Sequence, residues 1–142
     1  MKKINHFING KEYISKSDRF GDIFNPASGE KIGSVSFANK DDVALAIQNA
    51  SDAQKKWAAT PPLARSRVMF KFKELILRDM DKLALKLTNE HGKILSDSVG
   101  SLTRGMEVVE FACGIPHLLK GEFSENVGTE IDSWSTRQPL GV

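Results

Sequence analysis

Six apolar residues, Leu95, Val99, Leu102, Met106, Val109 and Cys113, recur at spacings of 4, 3, 4, 3 and 4. That interval returns each side chain to the same side of an α-helix and lays one continuous apolar seam along it. No strand reads this way, because alternate residues of a strand point to opposite faces. The stretch is therefore a helix with one face inside. It is the fourth and clearest of about four helices that the spacing predicts.

The other three are read from weaker stripes. Val43, Ala46, Ile47, Ala50, Ala53 and Trp57 follow helical spacing. Asn39 is suited to cap that helix, and Asp41 and Asp42 suit the positive end of its dipole. A second helix is expected from Thr60-Pro61, a cap followed by proline at the first position, with Val68, Phe72, Leu75 and Ile76 buried. A third runs from about Asp81, with Leu83, Ala84 and Leu87 inside, to a stop at Gly92. Ahead of the helices the period is different. Asn9-Gly10 signals a hairpin, and Asn25 to Gly29 a second turn. "KIGSVSFA" loosely fits a half-buried strand. "EFSENVGTEIDSWSTRQPLGV" returns to strands and turns after the last helix.

Composition removes several classes. Of 142 residues, 40% are hydrophobic and 27% charged, which marks a globular chain with enough length for a core. Twenty basic residues against eighteen acidic ones give no reason to expect a nucleic acid or a membrane surface as partner. No apolar run approaches the ~20 residues that span a bilayer. A single cysteine excludes an internal disulfide and suits a reducing compartment, so the cytoplasm is the simplest address. The amino terminus has two lysines but no apolar segment of a signal peptide behind them.

Cys113 and His117 stand four residues apart, as a thiolate–imidazole pair would on a helix. Cys113 also falls on the apolar seam, where a free cysteine packs as a small hydrophobe. Pro116 disturbs the register between them, and Ile115 before it is biased away from helical geometry. His6, His91 and His117 show no metal-ligand spacing, so no metal is expected. Phosphate-cradling glycine motifs are absent from the sequence. Arg65, Arg67, Lys71, Lys73 and Arg78 read as a solvated helix face, and Glu107 with Glu110 as surface charges. Arg104 is either a solvent-facing arginine or a planar fork for a carboxylate, and the spacing does not choose between them.

The wording of the chain carries more. "NGKEYISKSDRFGDIFNPASGEKIGSV", "RSRVMFKFKELI", "NEHGK", "RGMEVVEFACGIPHLLKGE" and "RQPLGV" resemble the amino-terminal part of the aldehyde dehydrogenase superfamily. "EVVEFACGIPHLLKGE" resembles its CoA-acylating branch, which oxidises methylmalonate or malonate semialdehyde. The resemblance covers the whole chain and roughly the first third of such a multi-domain enzyme.

The resemblance implies an α/β parent fold. Residues 1–39 would be strands and turns, and residues 40–121 a helical layer packed on the NAD domain. Residues 122–142 would hold the start of the oligomerisation strands and, at "PLGV", the first strand of the NAD fold. It implies NAD and CoA as cofactors, a semialdehyde as substrate and a homo-oligomer as the assembly. The nucleophilic cysteine, the active-site glutamate and the cofactor glycines of the family have no counterpart in this stretch. Cys113 is then not the nucleophile, and the segment alone is expected to be inactive and to bind neither cofactor. Arg104 matches an arginine of the branch that faces the substrate tunnel, which makes it the one candidate substrate-binding residue. Two rival readings are a non-catalytic module that pairs with itself or with a full-length dehydrogenase through open strand edges, and a small cysteine–histidine hydrolase.

Overall fold

A computed structural model describes residues 2–142. Five short strands come first: β1 (Lys2–Ile4), β2 (His6–Ile8), β3 (Lys11–Tyr13), β4 (Phe20–Phe24) and β5 (Lys31–Ser36). The helices follow: α1 (Lys40–Ala59), α2 (Pro62–Arg78), α3 (Met80–His91), α4 (Leu95–Cys113) and α5 (Ile115–Leu118). A final pair, β6 (Phe123–Gly128) and β7 (Ile131–Trp134), completes an α/β architecture.

Turn chemistry sets the strand pairings. Asn9 and Gly10, at φ of 54° and 74°, make the tight connection that folds β2 antiparallel onto β3. In the Asn25–Gly29 turn, Asn25 Oδ1 accepts from the Ala27 amide, and Gly29 reaches φ 73°. That turn returns β5 antiparallel to β4, while β1 joins the other side of β5 in parallel. The sheet order is β1-β5-β4, with β2-β3 and β6-β7 as separate ribbons.

The helical layer centres on α4, which packs against both α2 and α3. Val109 and Cys113 of the seam are buried, Val99, Leu102 and Met106 half-buried, and Leu95 in the first turn exposed. From α3, Ala84 is fully buried, and Leu83 and Leu87 flank it. Gly92 ends α3 at φ 83°, as the sequence indicates.

Three expectations need correction. Thr60 does not cap α2; it ends α1, and its hydroxyl donates to the Lys56 carbonyl, so α2 starts one residue later with Pro62 in its first position. Val68, Phe72 and Leu75 are exposed. α2 meets α4 through Ser66 and Lys73, which find partners across the contact, while Met69 and Ile76 at the same helical spacing are half-buried. Ile115 is not extended: it opens α5, with Pro116 at a position where no amide is required. Residues 135–142 are irregular and pair with no strand among the described residues.

The accessible surface is 11168 Å², against about 7,300 Å² for a folded monomer of 15.7 kDa. The surplus is several times the area one partner contributes to an ordinary interface, about 800 Å². Much of it is apolar: Val43, Ile47 and Trp57 of α1 are 48%, 57% and 45% exposed, and Phe123, Ile131 and Trp134 of the last ribbon are exposed as well.

Candidate functional site

The Cys113–His117 pair is resolved by packing. Cys113 is 7% exposed and ends α4, whereas His117 belongs to the separate turn α5 and is exposed. Both border a cavity of about 450 Å³ between α2, α4 and α5. Its other polar groups are committed to each other. The Ser66 hydroxyl donates to the Cys113 carbonyl (2.5 Å), one of the last carbonyls of α4 and so without a donor inside its own helix. Lys73 pairs with Glu110 at 2.5 Å. Nothing there activates a thiol, and the cysteine serves as core.

Half of the remaining basic cluster is neutralised by ion pairs. Lys71 pairs with Glu74, Arg78 with Asp79, and Arg65 donates to the Thr60 carbonyl. Glu107 is exposed, while Glu110 is taken by Lys73, a tie that its helical spacing alone does not reveal. His6, His91 and His117 lie on β2, α3 and α5, and no group of three potential metal ligands gathers among the described residues.

A buried acid stands at the junction of strands and helices. Asp42 is 3% exposed and closes a reciprocal cap on α1: Asn39 Oδ1 accepts from the Asp42 amide, and Asp42 Oδ2 accepts from the Asn39 amide. The Ser15 hydroxyl donates to the same carboxylate at 2.5 Å. Chiefly this hydroxyl, then the Asn39 amide and the Tyr13 hydroxyl, hold its carboxyl below the usual range. These bonds anchor the chain after β3 to the start of α1, a structural task.

Arg104 is on the exposed side of α4, away from the α2 and α3 contacts. Its Nη2 donates to Ser101 Oγ at 3.3 Å, one turn earlier. Lys93, between α3 and α4, donates from Nζ to that same oxygen at 2.6 Å. Neither cation has a carboxylate within ion-pair distance among the described residues, and the nearby acids in sequence, Glu90, Asp97 and Glu107, pair with neither. The sequence reading singled out Arg104 but overlooked Lys93 and Ser101, since Lys93 reaches α4 from outside it, across the turn that Gly92 begins.

The model of the aldehyde dehydrogenase family matches residues 13–142. Malonate-semialdehyde dehydrogenase of Pseudomonas aeruginosa is 43% identical over 142 residues, which is 100% of this chain and 28% of that protein. The mitochondrial acylating methylmalonate-semialdehyde dehydrogenase of Arabidopsis thaliana is 43% identical over 140 residues, 99% of this chain and 23% of that one. Among solved structures, a Sinorhizobium meliloti protein assigned as methylmalonate-semialdehyde dehydrogenase, in complex with NAD, superposes with a TM-score of 0.95. It is 49% identical over 99% of this chain and 29% of its own. The methylmalonate-semialdehyde dehydrogenase of Oceanimonas doudoroffii gives 0.93 at 48% identity, over 99% of this chain and 28% of its own. The chain thus spans less than a third of the length of the curated relatives it matches.

Proposed function

The chain belongs to the aldehyde dehydrogenase family, and on that premise we propose that it is the amino-terminal part of an NAD-dependent, CoA-acylating dehydrogenase acting on malonate or methylmalonate semialdehyde. Arg104 carries the reading: a guanidinium without an acidic partner among the described residues, in a chain whose relatives are named for semialdehydes that bear a carboxylate. A guanidinium recognises such a group through two parallel hydrogen bonds. The role is to bind and orient the substrate, not to make or break a bond.

NAD, when bound, takes the hydride from the aldehyde carbon. The described residues do not fit a dinucleotide. The one strand-to-helix junction among them, from β5 into α1, has no glycine turn, and the Asp42 carboxylate already occupies an amide at the helix start, with Asp41 beside it. A pyrophosphate meets negative charge there rather than free donors. No step is therefore assigned to these residues through NAD or CoA. Nor does buried Cys113 suit a nucleophile that must reach an aldehyde. The surplus apolar surface supports a working state in which α1, the outer side of α2 and the β6–β7 ribbon are covered by further polypeptide, including neighbouring subunits.

The test is a chimera in which these residues replace the matching segment of the Pseudomonas relative. It is expected to reduce NAD with malonate semialdehyde and CoA. In it, Arg104→Leu is expected to raise KM for malonate semialdehyde about ten- to hundredfold, the worth of one charge-assisted contact, and to alter KM for propanal far less. A folded, assembled chimera without this activity overturns the reading. Equal effects on both aldehydes remove Arg104 from it.

The same uncovered surface favours a second reading, a module that pairs with itself or with a full-length dehydrogenase. A chain that sediments as a monomer and captures no such enzyme overturns it.

A further inference from the structure

Lys93 and Arg104 converge on one oxygen, and that oxygen's bonding is informative. A hydroxyl has two lone pairs and one hydrogen. Both lone pairs of Ser101 Oγ are engaged, one by Lys93 at 2.6 Å and one by Arg104 at 3.3 Å. Its hydrogen has no acceptor among the described residues. Two positions on, Thr103 returns its hydroxyl to the carbonyl of Val99, the usual resort of a hydroxyl inside a helix, and Ser101 does not. The free hydrogen and two cations therefore gather on one side of α4. Like charges this close repel, and the six ion pairs among the described residues use neither of them. Lys93 is half-buried, which makes its uncompensated charge harder to leave to water alone. Gly100 presents no side chain to the guanidinium; a Cβ there would lie 3.8 Å from Nη1.

We infer that Lys93 and Ser101 complete the anion subsite of Arg104, so that a carboxylate is held by two positive charges and one hydroxyl donor. The inference rests on the functional reading above and deepens it. Arg104 supplies the fork, Lys93 adds a second charge, and Ser101 spaces the two and donates its hydrogen to the anion. The arrangement favours a carboxylate over an isosteric amide by charge, and one cation alone would do so less strongly.

The experiment uses the chimera. Lys93→Met is expected to raise KM for malonate semialdehyde about tenfold more than KM for propanal, with Lys93→Arg recovering most of the loss. Ser101→Asp places a resident carboxylate between the cations and is expected to weaken inhibition by malonate at least tenfold. Its carboxylate replaces the oxygen that Lys93 already contacts, so no buried charge loses its partner, and it decides the matter if Lys93→Met does not fold. If Arg104→Leu discriminates between the two aldehydes but Lys93→Met and Ser101→Asp do not, the inference fails and the functional reading stands. If the chimera is inactive, the functional reading fails. The inference is then decided by titrating the 142-residue chain with malonate, using malonamide as the neutral control. Saturable shifts of the Lys93 and Arg104 side-chain resonances with malonate alone support it. Shifts with neither, or equal shifts with both, overturn it.

Discussion

Helices α1 and α4 are nearly the same length, 20 and 19 residues, and both carry an apolar stripe at helical spacing. They end in opposite circumstances. α4 lies between α2 and α3 and buries Ser98, Val109 and Cys113, while among the described residues α1 packs closely on no other element and buries Asp42 alone. The difference is not one of local propensity. α1 has the better start, a reciprocal cap, whereas α4 begins at Ile94 without any side-chain cap. A stripe tells which side of a helix is apolar; it does not tell what comes to lie on it.

Substitutions test the contrast, with stability read from urea unfolding. The largest effect is expected for Val109→Asp, about 4 kcal/mol or more, since a carboxylate in the α4 seam has no partner there. Next is Ser66→Ala. It removes the hydroxyl bonded to the Cys113 carbonyl and is expected to cost about 1–3 kcal/mol. Acid comes third and acts on α1. Asp42 is held below the usual carboxylate range, so the stability its bonds supply is complete above that range and is lost as pH falls through the depressed value. The Ser15 and Asn39 contacts are expected to open at acid pH before the α2–α4 contact does, as seen by amide exchange, and Asp42→Asn is expected to flatten that dependence. The smallest effect is expected for Ile47→Ala, under about 0.5 kcal/mol, because its side chain is already in water. A loss of 2 kcal/mol there would show that the α1 stripe is covered within this chain after all.

The same contrast explains what could be read without coordinates. The α4 seam, the stop at Gly92, the Asn39 cap and both strand turns are local, and each was legible because a few neighbouring residues determine it. The buried face of α2 was not. Its contact with α4 runs through Ser66 and Lys73, polar residues that become acceptable inside only when Cys113 and Glu110 arrive from about forty positions away. Val68, Phe72 and Leu75 made the more convincing stripe and stayed outside. The candidate site divides in the same way. Arg104 stood out by resemblance, whereas the bond from Lys93 to Ser101 spans a helix boundary that no single-helix pattern crosses.

The parallel pairing of β1 with β5 aligns Lys2 with Gly33, and the hairpin and β4 intervene between them. A ribosome adding about 5–20 residues per second needs roughly 2–6 s to make that stretch. β1 is thus made seconds before the strand that secures it, and until then its three residues are too short an edge to recruit a stranger.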